Sequence, residues 1–320
     1  MNYKEIPYVN KPVSEIIYGT AIPPYLSGED GDEILEGVFK LGINTIDTAR
    51  NYALSEKSVG HWFESCGHRD DVVLLTKCGH PEGGRKRVTE KDMREDWAVS
   101  SEYLHTGYFD IYLLHRDDPE VDVGTIVEIF NALHAEGKIG AFGGSNWTHE
   151  RIETANEYAY KKNLIPFSVS SPNFSLAHQA GDPWGWGTVT ITGKENKSAR
   201  EWYRKNQMPV IAYSSLARGL FSGRLKSTDY EKASTILDEA AMKGYGYPEN
   251  FEKLAKCEKL AAEKGCTVTQ IALSWLYRQQ INVFAVISSK NPARMQGNMD
   301  ALDIVLTDEE LAYLGDSMPT

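Results

Sequence analysis

Short apolar runs alternate with amphipathic segments along the whole of this 320-residue chain. The pattern predicts eight strands, each followed by a helix, at intervals of roughly thirty to forty residues. Such an alternation is typical of parallel βαβ units. Eight units in a chain of this length favour an α/β fold of the (β/α)8 TIM-barrel type over a doubly wound sheet. The predicted barrel strands are residues 16–20, a run ending at 47, 72–77, 110–115, 139–144, 165–170, 209–213 and 283–287.

No break in composition marks a second domain, and we expect one barrel domain over residues 1–320. Residues 3–15 predict a short β-hairpin ahead of the barrel. Three stretches after strands show no regular period, namely 78–88, 174–197 and 219–250, and in a barrel such loops stand over the catalytic face. The second carries Trp184 and Trp186 among glycines, which fits a mobile aromatic lid and a locally packed surface loop equally well.

Composition narrows the classes of partner. The net charge of −11 argues against nucleic acid or an anionic membrane as the main partner, although one local basic pocket is compatible with it. The four cysteines show no CxxC pair and no metal-binding spacing, so we expect reduced thiols and no metal site. The polar N-terminus and the lack of a bilayer-length apolar run predict a cytoplasmic protein. The oligomeric state is not readable from the sequence.

Polar side chains close three consecutive predicted strands. Asp47 ends the second strand, Lys77 the third and His115 the fourth, and Tyr52 follows in the loop after the second. Taken singly, each has a common structural explanation, such as a turn former, a surface lysine or a core histidine. Because the carboxyl ends of parallel barrel strands gather around one mouth, we expect the four side chains to meet. The joint pattern predicts a catalytic site.

The four residue types suit proton donation to a carbonyl oxygen. A free phenol has a pKa of about 10 and is a weak acid at neutral pH. An adjacent ammonium lowers the pKa of the phenol, and a carboxylate holds that ammonium in place. The histidine can donate a hydrogen bond to the substrate oxygen. Since no side chain supplies hydride, this chemistry requires a nicotinamide cofactor.

Six segments carry a resemblance to a known family. They are DTARNYALSEKSVG (47–60), LLTKCG (74–79), IYLLHRDDP (111–119), GGSNW (143–147), IAYSSLARGLFSG (211–223) and ISSKNPARMQGNMDAL (287–302). With these segments the chain resembles an aldo-keto reductase over nearly its whole length. The resemblance implies a catalytic tetrad of Asp47, Tyr52, Lys77 and His115, with Tyr52 as the general acid and base. The glycine usual after the catalytic tyrosine is here Ala53, and the glutamine usual in the carboxamide site is here Ser171.

The resemblance also implies a dinucleotide site. Ser145, Asn146 and Ser171 would bind the nicotinamide carboxamide, and Tyr213 would stack on the nicotinamide ring. The remaining implied cofactor residues are Gly19, Thr20, Ser214, Leu216, Arg218 and Gly219, then Ser289, Lys290, Arg294 and Asn298 on the adenosine side. Lys290 and Arg294 lie at a predicted helix N-terminus, which is a natural anion site. They favour a 2′-phosphate and hence NADP(H), with NAD(H) as the alternative.

Three functional hypotheses follow. The leading one is a reductase of small aldehydes, ketones or sugars. The second is a cofactor-binding regulatory or partner protein, such as the potassium-channel β-subunits of the same family. A third is a barrel aldolase or isomerase with Lys77 as Schiff-base nucleophile, which leaves Tyr213 and residues 288–298 without a role. The residues predicted to line the substrate pocket are Trp147, Trp184, Trp186 and Tyr25, with Cys78 and His80 just beyond Lys77.

Overall fold

The structure is a computed structural model and describes residues 1–315. Its strands are β1 (Tyr3–Lys4), β2 (Val13–Ser14), β3 (Ile16–Gly19), β4 (Thr45–Asp47), β5 (Val73–Cys78), β6 (Phe109–Leu114), β7 (Ile139–Ser145), β8 (Val169–Ser171), β9 (Val210–Ala212) and β10 (Val283–Ile287). Its α-helices are α1 (Asp32–Lys40), α2 (Ser55–Cys66), α3 (Glu90–Tyr103), α4 (Val123–Ala135), α5 (His149–Lys161), α6 (Lys197–Asn206), α7 (Ala233–Ile236), α8 (Glu239–Tyr245), α9 (Pro248–Lys264), α10 (Val268–Tyr277), α11 (Pro292–Met299) and α12 (Asp308–Leu314).

Strands β3 to β10 form a closed parallel barrel in chain order, which confirms the predicted fold class. Strands β1 and β2 pair antiparallel, with Tyr3 opposite Ser14, and form the predicted N-terminal hairpin. From β3 to β8 each strand pairs in parallel with the next along the chain. The carboxyl ends of these six strands therefore lie at one end of their sheet.

The chain divides into two compact units. The first comprises Met1–Ser171 together with the short segment Ser288–Pro292, and it contains β1 to β8 and α1 to α5. The second comprises Pro172–Ile287 and the segment that starts at Ala293, and it contains β9, β10, α6 to α10 and α12. One domain over residues 1–320 stays a prediction.

The first unit has a continuous apolar core. Every residue of β5 and β6 is buried, because parallel strands are covered on both faces and need apolar side chains on both. Asp122 caps α4 by accepting a hydrogen bond from the Gly124 amide at 2.8 Å. The capped helix then packs on the sheet through Phe130, whose ring stacks on that of Phe142 in β7 with the centroids 5.2 Å apart.

The second unit contains helices that the sequence did not predict. Strands β9 and β10 pair in parallel, with Val210 opposite Val283. The stretch 219–250, expected to be irregular, contains α7 and α8, so that expectation is wrong. Asp238 caps α8 by accepting from the Ala241 amide at 2.8 Å. With 4 and 7 residues, these helices are too short for an apolar period to be visible.

Element boundaries differ from the prediction by small steps except in β8. The strand predicted at 165–170 begins only at Val169, since Pro166 lacks a backbone N–H for a strand ladder. Strand β5 continues one residue beyond Lys77, and β6 ends one residue before His115. All four cysteines are free thiols, as expected. Among residues 1–315, no helix combines the length and the apolar character needed to cross a bilayer.

Candidate active site

A buried ion pair between Asp47 and Lys77 forms the base of the site. The parallel register places Asp47 beside Leu75, and Lys77 lies two residues further along β5 on the same face. The Lys77 Nζ donates to Asp47 Oδ1 at 2.5 Å and to the Thr48 carbonyl at 2.8 Å. The two charged residues are only 5% and 3% exposed. Asp47 raises the pKa of Lys77 against the effect of burial, and the lysine stays an ammonium.

A tight loop over residues 48–54 presents Tyr52 after β4. The Tyr52 amide donates to the Ala49 carbonyl at 2.9 Å, and the Ser55 amide donates to the Tyr52 carbonyl at 2.8 Å as α2 begins. Ala53 has a φ of 45°, in the left-handed region that favours glycine. An alanine there costs about 1 kcal/mol of strain. The loop geometry thus explains why glycine is usual at this position in the family that the chain resembles.

Hydroxyl groups fix the base of this loop to the first barrel strand. Thr20 Oγ1 donates to the Asp47 carbonyl at 2.9 Å, and Ser55 Oγ donates to Thr20 Oγ1 at 2.6 Å. The Gly19 carbonyl accepts from Ser288 Oγ at 2.6 Å. These contacts hold Asp47 in place, and a cofactor role for Gly19 and Thr20 stays a prediction.

The structure brings all four members of the predicted tetrad together. The Lys77 Nζ lies 4.9 Å from the centroid of the Tyr52 ring. The rings of Tyr52 and His115 meet edge to face, with centroids 5.6 Å apart and an interplanar angle of 77°. His115 directly follows β6, and its amide donates to the Cys78 carbonyl at 2.7 Å. Contacts therefore run from Asp47 through Lys77 and Tyr52 to His115.

Burial sets the protonation of the two rings. It raises the pKa of the Tyr52 phenol and outweighs the ammonium of Lys77, which lowers that pKa. The sequence predicted that the ammonium lowers the pKa of the phenol. Lys77 does lower it, but burial raises it by more, so the net shift of the Tyr52 pKa is upward. Burial, together with the nearby cations, takes the pKa of His115 well below 6.5. At neutral pH the phenol is protonated and the imidazole is neutral, so both can donate hydrogen bonds.

Two further side chains adjoin His115. The His80 ring lies 5.0 Å from that of His115 at 72°, and His80 Nδ1 donates to the Pro81 carbonyl at 3.0 Å. Arg116 is only 5% exposed, and its Nη1 donates to the His115 carbonyl at 3.2 Å. Its charge lowers the pKa of both Tyr52 and His115. Sequence reasoning missed Arg116, although its place directly after the histidine in the run HRDD was a usable signal.

The ends of β7 and β8 form a small polar cluster. The Ser171 carbonyl accepts from the Asn146 amide at 3.1 Å and from Ser145 Oγ at 3.0 Å. Asn146 Nδ2 donates to the His115 carbonyl at 3.1 Å, which ties the cluster to the tetrad. Ser171 Oγ is buried, and within residues 1–315 it has no hydrogen-bond partner. A buried hydroxyl of this kind calls for a partner, and the amide of a nicotinamide carboxamide fits that requirement.

Tyr213 and the two exposed tryptophans belong to the second unit. Tyr213 follows β9, and Trp184 meets its ring edge-on with centroids 5.8 Å apart. Arg218 lies over Trp184, 5.3 Å from the ring centroid, and its Nε binds Asp238 Oδ1 at 2.9 Å. Trp186 is 50% exposed. Trp184 therefore packs locally, and the structure gives Trp186 no such ring partner among the described residues.

The loop 214–219 after Tyr213 has an unusual backbone. Ser214 and Arg218 have φ values of 52° and 53°, and Gly219 has a φ of 104°. The Gly219 amide donates to the Leu216 carbonyl at 3.1 Å and closes the turn. A residue with negative φ followed by one with positive φ, here Leu216 and Ala217 with φ values of −107° and 48°, can turn successive N–H groups to one side and form an anion-binding nest. This geometry suits the phosphate-binding role that the resemblance implies for the loop.

The residues implied on the adenosine side surround the start of α11. Lys290 precedes the helix, Arg294 lies in its first turn, and both are exposed. Neither forms an ion pair with another residue of the 1–315 range. Ser289 Oγ donates to the Asn291 carbonyl at 3.2 Å, and Asn298 Nδ2 lies 3.9 Å from the Met295 sulfur. An exposed cation near a helix N-terminus is suited to a phosphate, and the adenosine-side roles of these residues stay predictions.

Three residues predicted near the substrate lie in the packed interior. Tyr25 is fully buried, with its hydroxyl 3.3 Å from that of Tyr18. Trp147 is 1% exposed and packs on Phe167 with centroids 5.1 Å apart. Cys78 is also fully buried. Their burial is as deep as that of the tetrad, and a substrate role for them stays a prediction.

Comparison with known proteins agrees with this geometry. The model of the Aldo/keto reductase family matches residues 15–317. The chain is 27% identical over 301 residues to the NADH-specific methylglyoxal reductase of Escherichia coli, with 88% of this chain and 85% of that protein covered. It is 26% identical over 306 residues to an aryl-alcohol dehydrogenase [NADP(+)] of Phanerodontia chrysosporium, with 90% and 75% covered. It is also 26% identical over 304 residues to norsolorinic acid reductase B of Dothistroma septosporum, with 92% and 73% covered. With its barrel and a family match over almost the whole sequence, the chain belongs to the aldo/keto reductase family of nicotinamide-dependent oxidoreductases.

Proposed function

We propose that the protein is an NADPH-dependent reductase that converts the carbonyl of a small aldehyde, ketone or sugar to an alcohol, with Tyr52 as the general acid. The observation that carries the proposal is the buried pair of Asp47 and Lys77 beside the Tyr52 ring, which in turn meets His115. A lone tyrosine at a strand end would be unremarkable. A tyrosine between a fixed ammonium and a neutral imidazole is suited to proton transfer.

Each tetrad member has a separate task in the proposed reaction. Tyr52 Oη transfers its proton to the carbonyl oxygen, and the resulting phenolate is stabilised by the Lys77 ammonium. Asp47 keeps that ammonium charged and in position. The neutral His115 donates a hydrogen bond to the same carbonyl oxygen and orients it. When bound, NADPH supplies the hydride that adds to the carbonyl carbon.

Local geometry supports the proposed cofactor residues. The buried Ser171 hydroxyl supports a carboxamide site with Ser145 and Asn146. The positive-φ loop 214–219 supports binding of the pyrophosphate, and Tyr213 is the proposed stacking partner of the nicotinamide ring. The exposed cations Lys290 and Arg294 favour a 2′-phosphate and hence NADPH. One relative is named as an NADP(+) enzyme and another as an NADH-specific enzyme, so relatives do not decide between the cofactors. The proposed preference for NADPH over NADH therefore rests on Lys290 and Arg294.

A panel of carbonyls assayed with both nicotinamides tests the proposal. The panel includes methylglyoxal and an aryl aldehyde, which the names of the relatives suggest, and a reducing sugar. We expect NADPH oxidation with at least one compound and a higher kcat/KM with NADPH than with NADH. Tight binding of NADPH without turnover of any carbonyl or alcohol would favour a regulatory cofactor-binding protein. Borohydride trapping of substrate on Lys77 would favour Schiff-base chemistry instead.

A further inference from the structure

Three potential metal ligands of different chemical type meet outside the active site. They are Glu36 on α1, Cys66 at the end of α2 and His68 two residues later, all in the first unit. One carboxylate oxygen, the thiol sulfur and one imidazole nitrogen lie within 4.8 Å of one another. Thiolate, imidazole and carboxylate are the three protein ligands that zinc uses. All three residues are partly exposed, although the Glu36 oxygen concerned, Oε2, is itself a buried atom.

The spacing of the nitrogen and oxygen ligands fits a shared ion. His68 Nε2 lies 3.5 Å from Glu36 Oε2. That is at the limit of a hydrogen bond. Oε2 is a buried atom with no hydrogen bond of normal geometry within residues 1–315, and the buried Trp62 indole N–H also interacts with the Glu36 carboxylate. Two ligands that each lie about 2.1 Å from a tetrahedral zinc are about 3.4 Å apart. The two atoms are therefore placed like ligands of one ion rather than like partners of each other.

Contacts with neighbouring side chains restrict the His68 ring and the Glu36 carboxylate. His68 Nδ1 lies 3.7 Å from Asp71 Oδ2, which is an ion-pair distance and too long for a hydrogen bond. The His68 ring also packs on Phe39 with centroids 4.4 Å apart, which limits its rotation. The second oxygen of Glu36, Oε1, binds Lys40 at 3.1 Å. Nε2 and Oε2 are the two atoms that would bind an ion.

A left-handed glycine places Cys66 and His68 side by side. Gly67 ends α2 with a φ of 73°, and its amide donates to the Phe63 carbonyl. This turn reverses the chain direction after the last helical residue. The sequence CGH is shorter than the usual zinc spacings, and the third ligand comes thirty residues earlier on another helix. The expectation of no metal site rested on spacing alone, and spacing could not reveal this cluster.

The position of the cluster separates it from the tetrad. His68 lies in the turn that leads to Val73, the first residue of β5, whereas Lys77 lies near the carboxyl end of that strand. At about 3.3 Å per residue, Val73 and Lys77 are roughly 13 Å apart along β5. An ion at this end of the strand would contribute to stability rather than to catalysis.

We propose that Glu36, Cys66 and His68 form a structural binding site for one divalent zinc-class ion, with water as the fourth ligand. On binding, the Cys66 thiol releases its proton to solvent and the thiolate sulfur bonds to the metal. The ion would fasten the end of α2 to α1. The site does not depend on the proposed reductase activity.

Titration of the full chain with Co²⁺ as an optical substitute for zinc tests this site. We expect one equivalent of Co²⁺ to give a thiolate-to-cobalt charge-transfer band in the near ultraviolet, and Zn²⁺ to remove that band by competition. Cys66→Ser should abolish the band, and His68→Gln should weaken Co²⁺ binding at least tenfold. Cys266→Ser is the matched control, because Cys266 is also a partly exposed free thiol and also adjoins a left-handed glycine at the end of a helix, although it follows Gly265 whereas Cys66 precedes Gly67. It should leave the band unchanged.

Thermal unfolding gives an independent readout. Zn²⁺ should raise the unfolding midpoint of the parent protein and of Cys266→Ser, because a ligand that binds only the folded state stabilises it. It should not raise the midpoint of Cys66→Ser, whose folding is checked by circular dichroism. Absence of the charge-transfer band in the parent protein at saturating Co²⁺ would overturn the proposal. Equal binding by the parent and Cys66→Ser would also overturn it.

Discussion

The buried pair of Asp47 and Lys77 makes a quantitative prediction about stability. Both residues are at most 5% exposed, and Lys77 Nζ has two oxygen partners, at 2.5 and 2.8 Å. Removing one member of such a pair leaves the other charge buried without compensation, at a cost of about 3–5 kcal/mol. We therefore expect Asp47→Asn and Lys77→Met each to lower the free energy of unfolding by about that amount.

The double variant measures the interaction energy between Asp47 and Lys77 apart from the contacts that each makes with other groups. With both charges removed, no uncompensated charge stays buried, and a neutral replacement of a buried pair is often tolerated. We expect Asp47→Asn/Lys77→Met to be less destabilised than the sum of the single variants by about 3 kcal/mol, a coupling typical of residues in direct contact. Part of the Lys77→Met cost will remain, since the Thr48 carbonyl also loses its donor.

Urea unfolding followed by circular dichroism measures all four proteins at one pH. The m-values should agree, so that differences in midpoint report stability alone. Additive effects within about 0.5 kcal/mol would refute the coupled pair. Single variants that each cost less than about 1 kcal/mol would show that the two charges are hydrated, and the fixed ammonium beside Tyr52 would then be lost from the mechanism.

Three further predictions concern pH and cofactor choice. Because the pKa of His115 is well below 6.5 and that of Tyr52 is raised above 10, kcat for reduction should be level from about pH 6.5 to 10 and fall above that range as the phenol ionises. A change in kcat with a midpoint near pH 6.5 that Arg116→Gln does not shift would contradict this. Burial raises the pKa of Glu56 from 4.5 to about 7, so between these pH values the folded state holds a proton that the unfolded state has lost. The free energy of unfolding should therefore fall by about 3 kcal/mol as pH rises from about 4.5 through 7. Glu56→Gln should remove this pH dependence in urea unfolding, and an unchanged pH dependence would show that another group is responsible. Lys290→Met should raise the KM for NADPH about tenfold, equivalent to about 1.4 kcal/mol, and leave the KM for NADH within twofold, whereas equal losses for both cofactors would argue against a 2′-phosphate contact.

The tetrad was predictable because three of its four members are polar residues at the ends of apolar strands. Asp47, Lys77 and His115 lie within one residue of the ends of β4, β5 and β6, and a closed parallel barrel gathers neighbouring strand ends whatever the intervening sequence. Helix caps were also predictable from the sequence. Thr148 is one example, because its hydroxyl accepts a hydrogen bond from the Arg151 amide at the start of α5. Patterns local to one element thus carried most of the fold.

Properties that depend on three-dimensional surroundings were not predictable. The sequence predicted Tyr25 and Trp147 as aromatic residues of the substrate pocket. Their burial, with at most 1% of each residue exposed, became visible only in the structure. The net upward shift of the Tyr52 pKa depends on how much burial outweighs one ammonium, and sequence contains no measure of burial. The cluster of Glu36, Cys66 and His68 joins two helices and has no linear signature.

A single-turnover experiment with Tyr52→Phe tests the central claim most directly. The variant lacks only the phenolic hydroxyl, so NADPH should bind with an unchanged Kd, while the rate of hydride transfer to a substrate identified by the carbonyl panel should fall about 10²–10⁴-fold. Tyr247→Phe, at a 39% exposed tyrosine on the second unit, is the matched control and should retain the full rate. A Tyr52→Phe rate within tenfold of the parent protein, at equal NADPH occupancy, would contradict the assignment of Tyr52 as the proton donor.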